Sequence, residues 1–313
     1  MSDPGHILLL LAIALALDAA LGEPEWLWSR IMHPIVAVGR VIGWLDWRLN
    51  RPSDAPRQQK IAGIMATALI VAGSVMLGLA LETLPLADII AAVSAAILMS
   101  HRSLMNHVGD VARGLDRGLD EGRAAVGRIV GRSPQSLDEA GVARAAVESG
   151  AENFSDGVIA PAFWFIVGGL PGLIAYKAVN TADSMIGHRN TKYRDFGWAA
   201  ARLDDAMNFI PARLTAALFA LADLKLRGLK AAIRDARGHR SPNAGWPEAA
   251  AARILGLALA GPRTYAGQFI DDPWMNPEGR QEATPRDIRE SLDLYWRAWA
   301  ILLAFAILGA LIL

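Results

Sequence analysis

Cysteine is absent from all 313 residues. That excludes disulfides, thiolate-held zinc, iron–sulfur ligation and a cysteine nucleophile at once, so any metal would have to be held by oxygen or imidazole. Net charge is also lacking: 31 Lys and Arg balance 31 Asp and Glu. No overall basic field favours nucleic acid and no acidic tail suggests a solvated arm, so no nucleic-acid partner is expected. A Walker-type phosphate loop is missing, because Gly127-Arg128-Ile129-Val130-Gly131-Arg132-Ser133 has the wrong spacing and no lysine. No G-x-G-x-x-G follows a strand. The histidines His33, His101, His107 and His188 form no close-spaced ligand pair. Buried or interfacial roles are expected of them rather than metal binding.

What the chain has is apolar surface: 53% of its residues are hydrophobic and its mean hydropathy is +0.28, values of a membrane protein. Four runs, 7–22, 61–81, 85–104 and 296–313, approach the roughly 20 residues needed to span. The first is preceded by Asp3 and His6 and by no basic residue, so it reads as a span and not as a secretory signal. It carries Asp18 at depth, an acid expected to pair with a neighbouring helix. The second and third form a hairpin about the acidic hinge Glu82-Thr83-Leu84-Pro85, and the last opens on the interfacial anchors Trp296, Arg297 and Trp299. Basic residues stay cytoplasmic. Arg30, Arg40, Arg48, Arg51, Arg57 and Lys60 therefore put 23–60 inside, Arg113, Arg117, Arg123, Arg128, Arg132 and Arg144 put the region after the third span inside, and the N-terminus lies outside.

Two further runs, 157–176 and 209–224, are either spans or re-entrant segments. The first contains Gly168-Gly169-Leu170-Pro171-Gly172, a strong turn signal, and broken helices at membrane depth often line sites. The loop 177–208 is expected inside. Residues 225–295 read as amphipathic and basic at first, with Lys225, Arg227, Lys230, Arg234, Arg237 and Arg240, and then as loop-rich. Ser241 to Glu248 read as a turn with Pro247 as the first residue of a new helix. The expected fold is all-α: one polytopic, membrane-embedded domain over 1–313, with broken or re-entrant helices and a cytoplasmic polar region.

That polar region, 148–213, is where function is expected, because ionisable groups beside a bilayer are costly unless they pair or bind something. Arg144, Glu148 and Glu152 share a helix face, and for the first two a salt-bridged solvated face is an equal reading. Glu152, Asn153, Ser155 and Asp156 cluster at an expected helix boundary, where capping would explain one of them but not all. Lys177, Asn180, Asp183 and Ser184 recur along one helix side. Asp204, Asp205 and Asn208 offer hard oxygen ligands at a spacing that suits Mg²⁺ with phosphate completing the shell. Arg202 and Arg213 flank them as phosphate clamps. Lys192 and Tyr193 lie in a loop, where surface electrostatics is the competing reading.

The runs E-N-F-S-D-G-V-I-A-P (152–161), G-G-L-P-G (168–172), Y-K-A-V-N-T-A-D-S-M-I-G (176–187), Y-R-D-F-G (193–197), A-R-L-D-D-A-M-N-F-I-P-A-R-L-T (201–215) and S-P-N-A-G-W-P-E-A (241–249) resemble the CobD/CbiB family of cobalamin biosynthesis. So do D-A-A-L-G-E-P (18–24) and H-P-I-V-A-V-G-R (33–40). The resemblance implies a multi-pass inner-membrane protein with its site facing the cytoplasm. It also implies an enzyme joining aminopropanol, or its phosphate, to a propionate carboxyl of the corrinoid adenosylcobyric acid. A carboxylate must be activated before an amine can attack it, and an acyl phosphate made from ATP with Mg²⁺ is the expected route. On that reading Asp204, Asp205 and Asn208 serve Mg²⁺ and phosphate, while Glu152, Asp156 and Asp183 serve as further ligands or as base. Asn153, Lys177, Asn180, Ser184, Lys192, Tyr193, Arg202 and Arg213 contact substrate or phosphate. Membrane lipids are expected partners and a homo-oligomer is compatible with the reading. A lipid or prenyl transferase, or a transporter or sensor, are the rivals.

Overall fold

A computed structural model describes residues 3–131, 134–223, 229–265, 268–270 and 272–313. Arg132, Ser133, Lys225 and Arg227, and the last residue of the 209–224 run, lie outside the described residues. The chain is helical almost throughout: α1 (Pro4–Leu21), α2 (Glu25–Trp28), α3 (Pro34–Leu49), α4 (Pro56–Glu82), α5 (Ala87–Leu98), α6 (His101–Leu115), α7 (Leu119–Val126), α8 (Glu139–Phe154), a π-helical turn (Ser155–Ile159), α9 (Ala160–Ile186), α10 (Trp198–Met207), α11 (Phe209–Asp223), α12 (Leu229–Arg237), α13 (Gly245–Leu255) and α14 (Pro285–Ile312). Short strands β1 (Leu259–Ala260) and β4 (Trp274–Met275) pair antiparallel, as do β2 (Arg263–Tyr265) and β3 (Gln268–Ile270).

Five helical stretches among the described residues are long and apolar enough to cross a membrane: Pro4–Leu21, Pro56–Glu82, Ala87–Leu115, Glu139–Ile186 and Pro285–Ile312. They overlap the four expected runs, with two differences. The last begins eleven residues earlier than expected, and the third is interrupted at Met99 and Ser100 between α5 and α6. The described part of the 209–224 run is the 15-residue α11, about 22 Å long. Pro247 is the third residue of α13, not the first, because the helix begins at Gly245. The expected boundary at Asp156-Gly157 is likewise not a helix end. The π turn absorbs one extra residue there and the helix continues into α9.

The helices gather into two compact units. Unit 1 comprises residues 1–100, 160–208 and 306–313. Within it α9 is broken at Gly169, whose φ of 61° lies in the left-handed region that glycine adopts without strain. Trp164 and Tyr176, twelve residues apart, reach the consecutive residues Met207 and Asn208, although an unbroken helix would hold them roughly 18 Å apart. The segment is therefore two limbs, 160–168 and 170–186, turned back on each other. The new limb exposes an N-terminal N–H, which Leu170 donates to Glu82 Oε1 at 3.2 Å.

The second limb lies along α4. A Cβ at Gly78 would meet the Pro171 backbone at 2.4 Å, and one at Gly63 would meet the carbonyl of Phe196, in the loop after the limb, at 1.8 Å, so both close approaches to α4 need glycine. These contacts order unit 1 along one axis. The Gly169 turn, the end of α4, and the His6–Asp88 pair (3.0 Å) lie at one end. The 187–197 loop, Asn50 and the start of α4 lie at the other. A core of Ile42, Leu45, Ala66, Ile70, Ala178, Ala182, Ile186, Phe196 and Ala200 joins α3, α4, α9 and α10.

Unit 2 comprises residues 101–159 and 209–305. Phe154, Phe219 and Tyr295 stack on one another with centroids 5.4–5.6 Å apart, and Tyr295 donates to the Val147 carbonyl at 3.0 Å. His101 is buried between Trp296 and Trp299.

Candidate functional site

The second limb of α9 and the whole of α10 carry most of the expected residues, and their packing in unit 1 builds a connected polar group. Asp204 is buried on α10. Its Oδ1 accepts from Asn180 Nδ2 at 3.2 Å and its Oδ2 from Asn208 Nδ2 at 3.0 Å. Asn208 Oδ1 in turn accepts from the Tyr176 hydroxyl at 2.9 Å. The amide of Asn208 is thereby oriented, since flipping it would break both bonds. Burial, and then the charge of Asp183, push the Asp204 carboxyl up to about 7, against a partial opposing pull from the two asparagines. A carboxyl poised near neutrality between polar neighbours marks a candidate site.

Asp183 sits one turn beyond Asn180 and is partly exposed. A Cβ at Gly187 would fall 1.9 Å from Asp183 Oδ1 and 2.6 Å from its carbonyl oxygen, so the absence of a side chain there gives the carboxylate its place. Asp205 faces elsewhere: consecutive helical residues point about 100° apart, and Asp205 pairs with Arg202 at 2.9 Å. Ser184 donates to the Asn180 carbonyl at 3.0 Å. Lys177 lies a turn before Asn180, and its charge acts on His33.

Lys192 and Tyr193 are turned toward α3. Lys192 Nζ donates to Asp46 Oδ2 at 2.8 Å and lies 2.6 Å from the Tyr193 hydroxyl, which itself donates to Asp46 at 3.1 Å. Asn50 bonds both Asp46 and the Lys192 carbonyl, at 2.9 and 3.3 Å. The loop is tied down by these contacts.

The remaining candidates belong to unit 2. Glu152 and Asn153 are exposed and Asp156 is partly buried, within the π turn. Asn153 bonds back to the Ser149 carbonyl and hydroxyl at 2.8 and 3.0 Å. The guanidinium of Arg213 lies 3.5 Å from the Phe209 ring and 4.4 Å from the Trp246 ring. Glu148 is buried, with Oε1 accepting from the Ala260 N–H at 2.9 Å, and Arg144 donates to the Gln281 carbonyl. Neither belongs to a solvated salt-bridged face; both hold the 257–281 segment.

Among the described residues no three His, Asp or Glu side chains gather as a metal cage. Mg²⁺ asks less, taking one or two carboxylates and completing its shell with phosphate and water. The Asp183–Asp204 pair offers two carboxylates, and a cation there would offset the Asp183 charge that adds to burial in raising the Asp204 carboxyl. Two residues of this neighbourhood were not among the sequence-predicted site residues, His33 having been expected in a buried or interfacial role. Tyr176 stands four before Asn180 on the same face, a spacing that could have found it. His33 precedes a helix and gave no such signal.

The family described as CobD/Cbib protein matches residues 11–295. The chain is 50% identical to cobalamin biosynthesis protein CobD of Brucella suis biovar 1 (strain 1330), over 97% of both chains. It is 48% identical to cobalamin biosynthesis protein CobD of Sinorhizobium sp, over 98% of this chain and 99% of the relative. To the protein of that name from Rhodobacter capsulatus it is 46% identical, over 93% of both. No solved structure matches the chain.

Proposed function

The chain belongs to the CobD/CbiB family, and from that premise we propose that it is the cobalamin-biosynthesis enzyme that ligates aminopropanol or its phosphate to a propionate carboxyl of adenosylcobyric acid. A role in cobalamin biosynthesis follows from the relatives' names. The amide ligation is our reading, and the observation that carries it is the buried Asp204, bridged by Asn180 and Asn208 and facing the charge of Asp183.

In this reading the corrinoid carboxylate attacks the γ-phosphorus of ATP, releasing ADP and leaving an acyl phosphate. The amine then attacks the acyl carbon, inorganic phosphate departs, and the amine proton passes to a protein carboxylate. Asp183 and Asp204 would hold Mg²⁺, which when bound offsets phosphate charge. Tyr176 and Asn208 keep Asp204 in one orientation, a preorganised acceptor. Lys177 gives charge to an anionic oxygen on the same helix face. The 187–197 loop shares an end of unit 1 with Asn50 and the start of α4. With the basic residues of 23–60, this supports a cytoplasmic site in the inner membrane, where ATP is available.

Purified protein given adenosylcobyric acid, aminopropanol phosphate and Mg-ATP should yield the amide by mass spectrometry, and Asp204→Asn should lose most of that yield. Unchanged corrinoid would point instead to a transporter or sensor.

A further inference from the structure

His33 is a partly buried group that the chemistry above leaves unused, and its two nitrogens differ sharply. It caps α3, with Nδ1 accepting from the Ile35 N–H at 3.2 Å, and Pro34 begins the helix behind it. An acceptor at Nδ1 puts the imidazole proton on Nε2. The ring is further fixed by an edge-on contact with Trp28, 4.4 Å between centroids. Nε2 is buried, and among the described residues no protein atom accepts its hydrogen bond. A buried donor left so costs free energy and calls for a partner.

The groups acting on this ring are Lys177 and Glu23. α3 packs on the second limb of α9 and runs in the same direction, Gly39 lying against Met185 near the end of the limb and Asp46 against Lys192 in the loop that follows it. His33 therefore stands at the turn of α9 that carries Lys177, next to the turns of Asn180 and Asp183. We infer that His33 is a further ligand-binding residue: its Nε2–H donates to an anionic oxygen, phosphate or carboxylate, held at the same time by Lys177. Burial, with the Lys177 charge adding to it and Glu23 opposing it, lowers the imidazole pKa, so the ring serves as a neutral donor. The inference deepens the amide-ligase reading and rests on it for the source of the anion.

Two substitutions separate cap from donor. His33→Asn retains an acceptor close to the Nδ1 position, asparagine being a strong N-cap, but leaves nothing at Nε2. His33→Gln reaches the Nε2 position and loses the cap. The probe is inorganic phosphate, read as a thermal shift of the full chain in detergent. Wild type should gain stability with phosphate. His33→Asn should melt within about 1 °C of wild type without phosphate, yet need ten- to a hundredfold more phosphate for the same shift, roughly the loss of one hydrogen bond to a charged group. His33→Gln should melt lower and respond to phosphate nearly as wild type does. In turnover, His33→Asn should raise KM for the phosphate-bearing substrate with little change in kcat.

Equal phosphate response in wild type and His33→Asn, or no response in wild type, overturns the inference. A phosphate response that depends on His33, in a protein that makes no amide, overturns the ligase reading and leaves the anion site standing.

Discussion

Asp183 and Asp204 interact across the packing of α9 on α10, and the negative charge of the first helps hold a proton on the second. The sign of the resulting pH dependence follows from comparing the two states. In the unfolded chain the Asp204 carboxyl ionises near 3.8, whereas in the folded protein it is pushed up to about 7. Between these values the native state carries a proton that the unfolded state lacks, so stability falls as pH rises through that window and is level above it. Asp204→Asn should remove this decline while costing about 1–2 kcal/mol for one misplaced amide hydrogen bond. Asp183→Asn should shift the decline to lower pH. Thermal unfolding in detergent from pH 4.5 to 8.5 measures both, and a wild-type melting profile that does not fall over this window would refute the assignment.

If Asp204 holds Mg²⁺ as proposed, protons and the cation compete for it, because a metal ligand must be deprotonated. The Mg²⁺ concentration giving half-maximal turnover should therefore climb by about tenfold per pH unit below pH 7 and level off above it. The Asp183→Asn variant should bind Mg²⁺ more weakly at every pH, with a shallower pH dependence. A Mg²⁺ requirement that does not move between pH 6 and 8 would exclude Asp204 as a ligand.

How much of this could be read beforehand depends on whether the signal was local. The long helices were legible, since a bilayer demands an unbroken run of apolar residues, and the turn at Gly168-Gly172 announced the break at Gly169. The Asp204–Asn208 pair was legible as an i,i+4 spacing. What faces a given helix side was not. Glu148 and Ala260 are 112 positions apart, and nothing near Glu148 distinguishes a buried backbone anchor from a solvated ion pair. Lys192 and Tyr193 read as phosphate ligands in a loop, yet their partner Asp46 lies on a helix whose docking no local pattern reveals. The π turn was also hidden, because Ser155, Asp156 and Gly157 carry the composition of a helix end.

The Glu82 carboxylate caps the second limb of α9 through the Leu170 N–H. Glu82→Ala should leave that N–H without its charged acceptor and cost about 1.5–3 kcal/mol, while Glu82→Gln, which keeps an oxygen in place, should cost less than half as much. Melting temperatures of the two variants order the effects. If alanine and glutamine behave alike, the contact contributes nothing to the hairpin.

Glu148 performs a similar service in unit 2, where its buried carboxylate accepts from Ala260 at the start of the β1–β4 pairing. Glu148→Ala should destabilise by about 1–3 kcal/mol for the unsatisfied buried N–H. It should also expose the 257–281 segment to protease faster than wild type. Limited proteolysis with mass mapping reads this directly, and unchanged cleavage there would show that the segment is held by other contacts.

The lock of Asp46 on Lys192 and Tyr193 separates two roles for the loop. If Lys192 serves by fixing the loop to α3, then Asp46→Ala and Lys192→Met break the same attachment and their effects should not add, because residues in one network share their energy. Each should raise the substrate KM by a few fold, within the 0.2–1 kcal/mol range of exposed ion pairs, and the double variant should be no worse than the more impaired single one. If Lys192 instead binds phosphate itself, Asp46→Ala would free it, and KM for the phosphorylated substrate would fall while Lys192→Met alone raised it. Steady-state kinetics on the three variants decides between the two, and the geometry, with Lys192 held by both Asp46 and its neighbour Tyr193, favours the non-additive outcome.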